Sequence, residues 1–158
     1  MQPYEQPGAR ATANRPAVVG RTLWAGGAAA ALVAALIAVV GVVVARGLFD
    51  IPVLAPKGKG TFGDASTLGL ALGAAVAALL ATALIHVLLL YTPRPFAFFG
   101  WIVTLVTAVA TLVPFSVDAR LAAQLATAVI NLLIGIAIGT LVSGVAARSL
   151  RPRPAGRG

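Results

Sequence analysis

His86, the one histidine of the chain, is also the only ionisable side chain within its long apolar segments. Counted from the same predicted membrane face, Ser143 of another segment lies at a similar depth. A serine beside a histidine is a nucleophile–base arrangement, which raises the hypothesis of an intramembrane enzyme. Ser143 lacks a G-x-S-x-G context, however, and no acidic residue is placed to orient the histidine. We therefore expect no catalytic residue, and a neutral His86 that bonds between helices or extends towards the headgroups.

Cofactor and metal sites are not expected. The chain has no cysteine and a single histidine, too few soft or nitrogen ligands for a metal centre. Proton-coupled pumps and exporters commonly need a carboxylate inside the membrane. All four acidic residues instead lie outside the apolar segments, at Glu5, Asp50, Asp64 and Asp118.

Several hydroxyl and amide side chains recur within the apolar segments. Thr104, Thr107 and Thr111 fall on one narrow helix face, because successive helical residues turn by about 100°. Asn131 lies near the middle of the last segment and needs a hydrogen-bond partner in lipid, with Thr107 or Thr111 at matching depth. Such a contact would set helix register, or else line a small polar cavity. The candidate polar seam comprises His86, Thr104, Thr107, Thr111, Asn131, Thr140 and Ser143.

The composition indicates that lipid is the main solvent of this chain. Of the 158 residues, 59% are hydrophobic and 10% are charged, whereas soluble domains average about 45–50% and about 25%. A water-soluble surface cannot be built from so few charges. The predicted fold is therefore an all-α, integral membrane, antiparallel four-helix bundle.

Four segments are long enough to cross a membrane, which takes about 20 apolar residues. A signal peptide competes for the first segment, but its apolar core would be only about 7–15 residues. The predicted membrane domain covers residues 21–147, between a disordered tail at 1–20 and a basic tail at 148–158. Its helices are predicted at 22–45, 66–90, 98–114 and 121–147, with the longest loop at 46–65.

The distribution of positive charge predicts the orientation. Eight arginines lie in the two tails and the second loop, and four basic residues lie in the other two loops. The side with eight should be cytoplasmic, which places both termini inside the cell. This explains the net charge of +8 without nucleic acid, which is not an expected partner. Aromatic residues map to the same interface: Trp24, Tyr91, Phe96, Phe98, Phe99 and Trp101.

Small residues recur at every fourth position in two segments. The second contains Gly69 and Gly73, continued by Ala77 and Ala81, and the fourth contains the GxxxG pair Gly135 and Gly139. Helices in lipid associate through the close backbone approach that small residues allow. These rows either close a monomeric bundle or form a homodimer interface.

The chain resembles a family of short actinobacterial membrane proteins catalogued as a domain of unknown function. The matching features are Asp50-Ile51-Pro52-Val53, the glycine-rich loop leading into the second segment, Leu112-Val113-Pro114-Phe115 and Asn131-Leu132-Leu133-Ile134-Gly135. The resemblance covers roughly residues 20–147. It implies a four-helix membrane protein and carries no known activity. Family members often have histidine where this chain has Asn131, a departure that weakens any histidine-based mechanism.

Two function classes follow from these observations. The first is a non-enzymatic, partner-binding or scaffold component of the bacterial cell membrane. The second is a small oligomeric transporter or permeation unit lined by the polar seam. The lipid bilayer is the expected environment, and a homo-oligomer and a membrane-protein partner are both left open.

Overall fold

The computed structural model describes residues 17–18, 20–56, 62–64 and 66–151. It is all-α, with four helices that are each long and apolar enough to cross a membrane. The helices are α1 (Gly20–Gly47), α2 (Thr67–Tyr91), α3 (Pro95–Leu112) and α4 (Leu121–Ser149), with a 3-10 helix at Val113–Ser116 after α3. The short strands are β1 (Ala17–Val18), β2 (Leu54–Pro56), β3 (Phe62–Asp64) and β4 (Leu150–Arg151).

Two antiparallel strand pairs mark the two ends of the molecule. β1 pairs with β4, and we call this end the terminal end. β2 pairs with β3 in the loop between α1 and α2, and we call this end the hairpin end. All four strands lie outside the segments that were predicted to be helical. The predicted tails otherwise fall mostly on residues 1–16 and 152–158, which lie outside the described residues.

The ends of α3 follow from its two flanking prolines. The helix begins at Pro95 rather than at residue 98, because a first-turn proline gives up no intrahelical hydrogen bond. It ends at Leu112, and the chain then tightens into the 3-10 helix that contains the buried Pro114. The aromatic residues predicted at the membrane interface include Phe99, whose side chain is fully buried in the core of the bundle.

The contact between α1 and α2 is built from alanine and glycine. On α1 the buried residues include Ala30, Ala34 and Ala38, at four-residue intervals. The buried residues in the first half of α2 are equally small: Ala71, Ala74 and Ala78. With so little side-chain volume between them, the two backbones approach closely, which is the main source of attraction between helices in lipid.

Glycines on α1 accept side chains from both neighbouring helices. A Cβ atom added to Gly27 would lie 2.5 Å from Thr82 Cγ2 of α2. One added to Gly26 would overlap Val145 of α4, and one added to Gly41 would lie 2.8 Å from Ile130 Cγ1. Higher residue numbers on α1 therefore contact lower residue numbers on α4, so these two helices run antiparallel. These contacts set the depth of α1 relative to α4.

The hairpin end is attached to the bundle through one side chain of α4. The backbone N–H of Leu54 in β2 donates to Thr127 Oγ1 over 3.0 Å, while the Thr127 hydroxyl donates to the Ala123 carbonyl over 2.8 Å. Val53, next to β2, is fully buried. The turn out of α1 passes through Asp50, which has a φ of 51°. Aspartate tolerates this left-handed conformation better than most non-glycine residues do.

We predict that Gly27→Leu destabilises the fold by about 1–3 kcal/mol, because the new side chain must displace Thr82 from a closely packed contact. Gly144→Leu is the matched control, since a Cβ atom at Gly144 meets nothing within 4 Å. Equilibrium unfolding in dodecylmaltoside–SDS mixed micelles, followed by circular dichroism, measures both. Equal stability of the two variants would contradict the packing described here.

A second prediction concerns the attachment of the hairpin. Thr127→Val removes the acceptor of the Leu54 amide and should cost about 1–3 kcal/mol. Thr127→Ser keeps the hydroxyl and should stay close to the wild type. Hydrogen exchange of the Leu54 amide gives an independent readout. The amide should exchange faster in the valine variant only, and unchanged exchange would show that Thr127 does not hold the hairpin.

Candidate functional site

A cleft opens between α2 and α3, with α4 as its floor. Its volume is about 940 Å³, within the range of about 300–1,000 Å³ that is usual for ligand pockets. Most of its lining is apolar. The polar side chains among its lining residues are Arg46, Ser66, Thr107 and Asn131.

The α2 wall of the cleft carries the small-residue row predicted from the sequence. Gly69, Gly73, Ala77 and Ala81 all line the opening. A Cβ atom added to Gly73 would meet nothing within 4 Å. The row therefore borders open space along the cleft, while the neighbouring face of α2 packs against α1.

Gly135 and Gly139, the small-residue pair of α4, pack the floor of the cleft against α3, which forms its other wall. A Cβ atom at Gly135 would overlap Thr107 of α3, and one at Gly139 would lie 3.2 Å from Val103 Cγ1. Gly135 also lines the cleft. The GxxxG pair of α4 therefore contacts α3 of the same chain.

Asn131 links the floor to α3 at the mid-depth of the cleft. Its Nδ2 atom donates to the Ala110 carbonyl over 2.7 Å. The sequence placed its partner at Thr107 or Thr111, and the acceptor is a backbone carbonyl of α3 between those two residues. Within the described residues this is the one hydrogen bond of the Asn131 side chain. The second amide hydrogen and Oδ1 therefore remain available to a ligand.

The threonines of the predicted seam separate in the structure. Thr107 lines the cleft, and Thr111 lies half-buried one turn away, donating to the Thr107 carbonyl over 2.8 Å. Thr104 and Thr140 are exposed, and Thr140 donates to the Ile136 carbonyl of its own helix over 2.8 Å. Threonines that donate to their own backbone need no other partner in lipid.

His86 and Ser143 lie away from the cleft, towards the terminal end. The His86 ring lies against Trp24, with centroids 6.4 Å apart and planes tilted by 44°. His86 Nδ1 is buried and has no hydrogen-bond partner among the described residues. Ser143 is half-buried, and none of the hydrogen bonds between described residues joins it to His86. The serine–histidine arrangement considered from the sequence is not assembled in the described part of the chain.

Arg46 is the cleft residue that the sequence reasoning assigned to the wrong element. It was predicted in the loop at 46–65, but α1 continues to Gly47, so Arg46 occupies its last turn. There it lines the hairpin end of the cleft, as does Ser66 at the start of α2. A basic residue in the last turn favours helix continuation through the helix dipole, and this signal could have extended the predicted helix.

Other candidate sites are less developed. A second groove of about 720 Å³ lies between α1 and α4, and every residue that lines it is apolar. Among the described residues, no group of three or more histidine, cysteine, aspartate or glutamate side chains could hold a metal ion. The cleft between α2 and α3 combines an open apolar surface with localised polar groups, so it is the candidate functional site.

We predict that Asn131→Leu costs only about 0.6 kcal/mol of stability, the average measured for a polar contact between membrane helices. Thr140→Val is the control, because the Thr140 hydroxyl bonds within its own helix. Unfolding in mixed micelles compares the two variants. A loss well above 2 kcal/mol for the leucine variant would mean that Asn131 is needed mainly to hold α3 in place.

Comparison with known proteins agrees with the resemblance noted from the sequence. A model described as a family of unknown function (DUF6069) matches residues 18–148. No curated protein and no solved structure matches the chain. The matched range contains α1, α2, α3, all of α4 except its last residue, and every lining residue of the cleft. The family prediction is confirmed, and the actinobacterial origin stays a prediction. Because the match covers most of its length, the chain belongs to the family of unknown function DUF6069.

Proposed function

We propose that this protein is a non-enzymatic, partner-binding component of the bacterial cell membrane, and that the cleft between α2 and α3 receives a transmembrane helix of a partner protein. In this proposal the four helices cross the membrane as an antiparallel bundle. The terminal end faces the cytoplasm, because eight of the twelve basic residues belong to that side. The hairpin end then faces outward.

The observation that carries the proposal is the length and openness of the cleft. Its long wall is α2, where the lining residues run from Ser66 at the helix start to Leu84, while the lining runs from Ile102 to Ala110 on α3 and from Asn131 to Ile138 on α4. The α2 stretch covers about 27 Å at 1.5 Å per residue, close to the hydrocarbon thickness of about 30 Å. A site for a compact ligand would not need to extend through the whole bilayer. A transmembrane helix matches this length.

The α2 wall also has the surface that membrane helices use for association. Small residues at every fourth position let a second backbone approach closely, as in small-xxx-small contacts. Gly73 and Ala77 lie in the middle of this row and border the cleft. The partner helix would gain the kind of contact that α1 and α2 already make with each other.

A small oligomeric transporter is the alternative, favoured by Thr107 and Asn131 in the cleft. It has less support than helix binding. Five members of the predicted seam are not among the cleft residues: His86, Thr104, Thr111, Thr140 and Ser143. In addition, none of the four helices contains Asp or Glu, so no helix offers a carboxylate for proton coupling.

Site-specific photocrosslinking in cells tests the proposal. A benzophenone amino acid in place of Ala77 should form a discrete adduct whose crosslinked peptide lies in a transmembrane segment of another protein. Gly73→Leu should abolish this adduct by filling the cleft, without disturbing the fold, because a Cβ atom there meets no neighbour within 4 Å.

The control is Gly144→Leu, which adds the same side chain at another open position of the bundle. It should leave the adduct unchanged. Crosslinks to lipid alone, or to a second copy of this chain alone, would contradict binding of a partner helix. An adduct that persists in both leucine variants would show that the cleft is not the binding surface.

A further inference from the structure

We infer that the helix bound in the cleft carries a carboxylate near its outer end and a hydrogen-bonding side chain seven residues deeper, which meet Arg46 and Asn131 respectively. This inference rests on the proposed function, since it names the chemistry of the partner at the same site. The partner is therefore an acidic-ended transmembrane helix of another protein.

The first determinant is the charge at the hairpin end. Arg46 is half-buried in the last turn of α1 and lines the cleft, as does Ser66. Its guanidinium has five N–H donors, so it can bind a carboxylate alongside a contact within its own chain. Most of the remaining lining is apolar. An acidic side chain on an incoming helix is thus complementary to this end of the cleft.

The second determinant is the amide at mid-depth. Asn131 donates one hydrogen bond, to the Ala110 carbonyl, which leaves one N–H and Oδ1 for another group. Lipid offers no partner to such groups. A serine, threonine, asparagine or glutamine side chain on the bound helix can supply one. An all-apolar helix cannot.

Contacts within the bundle give the spacing between the two determinants. Gly41 of α1 is level with Ile130 of α4, because a Cβ atom at Gly41 would lie 2.8 Å from the Ile130 side chain. Arg46 lies five residues beyond Gly41, and Asn131 lies one residue to the other side of Ile130. The two differ in depth by about 9 Å at 1.5 Å per residue. Two turns of one helix face, a spacing of seven residues, come closest to this distance.

A second copy of this chain does not provide such a helix. Asp50, Asp64 and Asp118 flank the outer ends of α1, α2 and α4, but the residues seven positions deeper are Val43, Ala71 and Leu125, whose side chains form no hydrogen bonds. The α3 face that is most open to contact carries apolar residues such as Trp101, Leu105 and Val109. The required pair of side chains must come from another protein.

Binding of designed peptides to the full chain tests the inference. Because the protein has no cysteine, one introduced at the exposed Ala147 carries a fluorescent donor in phosphatidylcholine vesicles. The probe is an acceptor-labelled leucine–alanine helix of about 23 residues with Glu near its outer end and Asn seven residues deeper. Comparison peptides replace Glu by Gln, replace Asn by Leu, or shorten the spacing to five residues.

The peptide with both side chains at the seven-residue spacing should bind most tightly. Arg46→Gln should lower its affinity about fivefold and leave that of the Gln peptide unchanged, while Arg46→Lys should restore most of the loss. Asn131→Leu should lower the affinity of the Asn-containing peptide about threefold and not affect the Leu peptide. Equal affinity of all peptides would overturn the inference.

Further arms separate this inference from the proposed function. If all peptides bind equally but Gly73→Leu blocks them, the cleft binds helices and the inference about polar partners falls alone. If no peptide binds in any variant, the proposed function falls with it. Displacement of the peptide by phosphatidylglycerol, dependent on Arg46, would assign the cation to a lipid headgroup and overturn the inference. Self-association that Gly73→Leu prevents would identify a second copy as the occupant and overturn both.

Discussion

For the membrane bundle proposed above, one constraint governs the packing: apolar helices in an apolar solvent have no hydrophobic driving force to associate. Attraction must come from close backbone approach, and that requires missing side chains. Gly26 and Gly27 accept side chains from α4 and α2, and Gly135 accepts Thr107 from α3. Each contact places a side chain of one helix where the other has none. The bundle is therefore positioned by glycines that receive larger side chains of the neighbouring helices, such as Val145 at Gly26 and Ile130 at Gly41.

The same chemistry is used in two ways on α2. Ala71, Ala74 and Ala78 are buried, while the row that includes Gly69 and Gly73 borders the cleft, which Ala74 reaches as well. One face holds the bundle together, and the neighbouring face is left with the same capacity for close approach. The β2–β3 hairpin is attached to α4 through Thr127 at the hairpin end of the bundle. In the cleft, a surface of small residues that would allow close helix packing is not covered by another helix of the chain.

Polar groups within the helices also fall into two classes. Thr82, Thr111 and Thr127 each donate to the carbonyl four residues earlier on their own helix, so they cost little in lipid and require no external partner. Asn131 instead reaches across to α3 and keeps further hydrogen-bonding capacity. Hydroxyl recurrence along a helix is thus a weak indicator of function, whereas an amide at mid-depth in an open cleft is a stronger one.

The sequence by itself determined the number of helices, their approximate bounds, the all-α class and the family. These depend on local properties, namely apolar length, proline and glycine positions, and charge at segment ends. It also identified Asn131 and both small-residue rows. It could not distinguish which row packs within the chain, because alanine and glycine occur on more than one face of α2. The rotation of each helix about its axis decides this, and that rotation is set by contacts between helices such as Gly27 with Thr82. Only the tertiary structure placed Arg46, Asn131 and Gly73 in one cleft, since they belong to three helices whose relative depth no local pattern encodes.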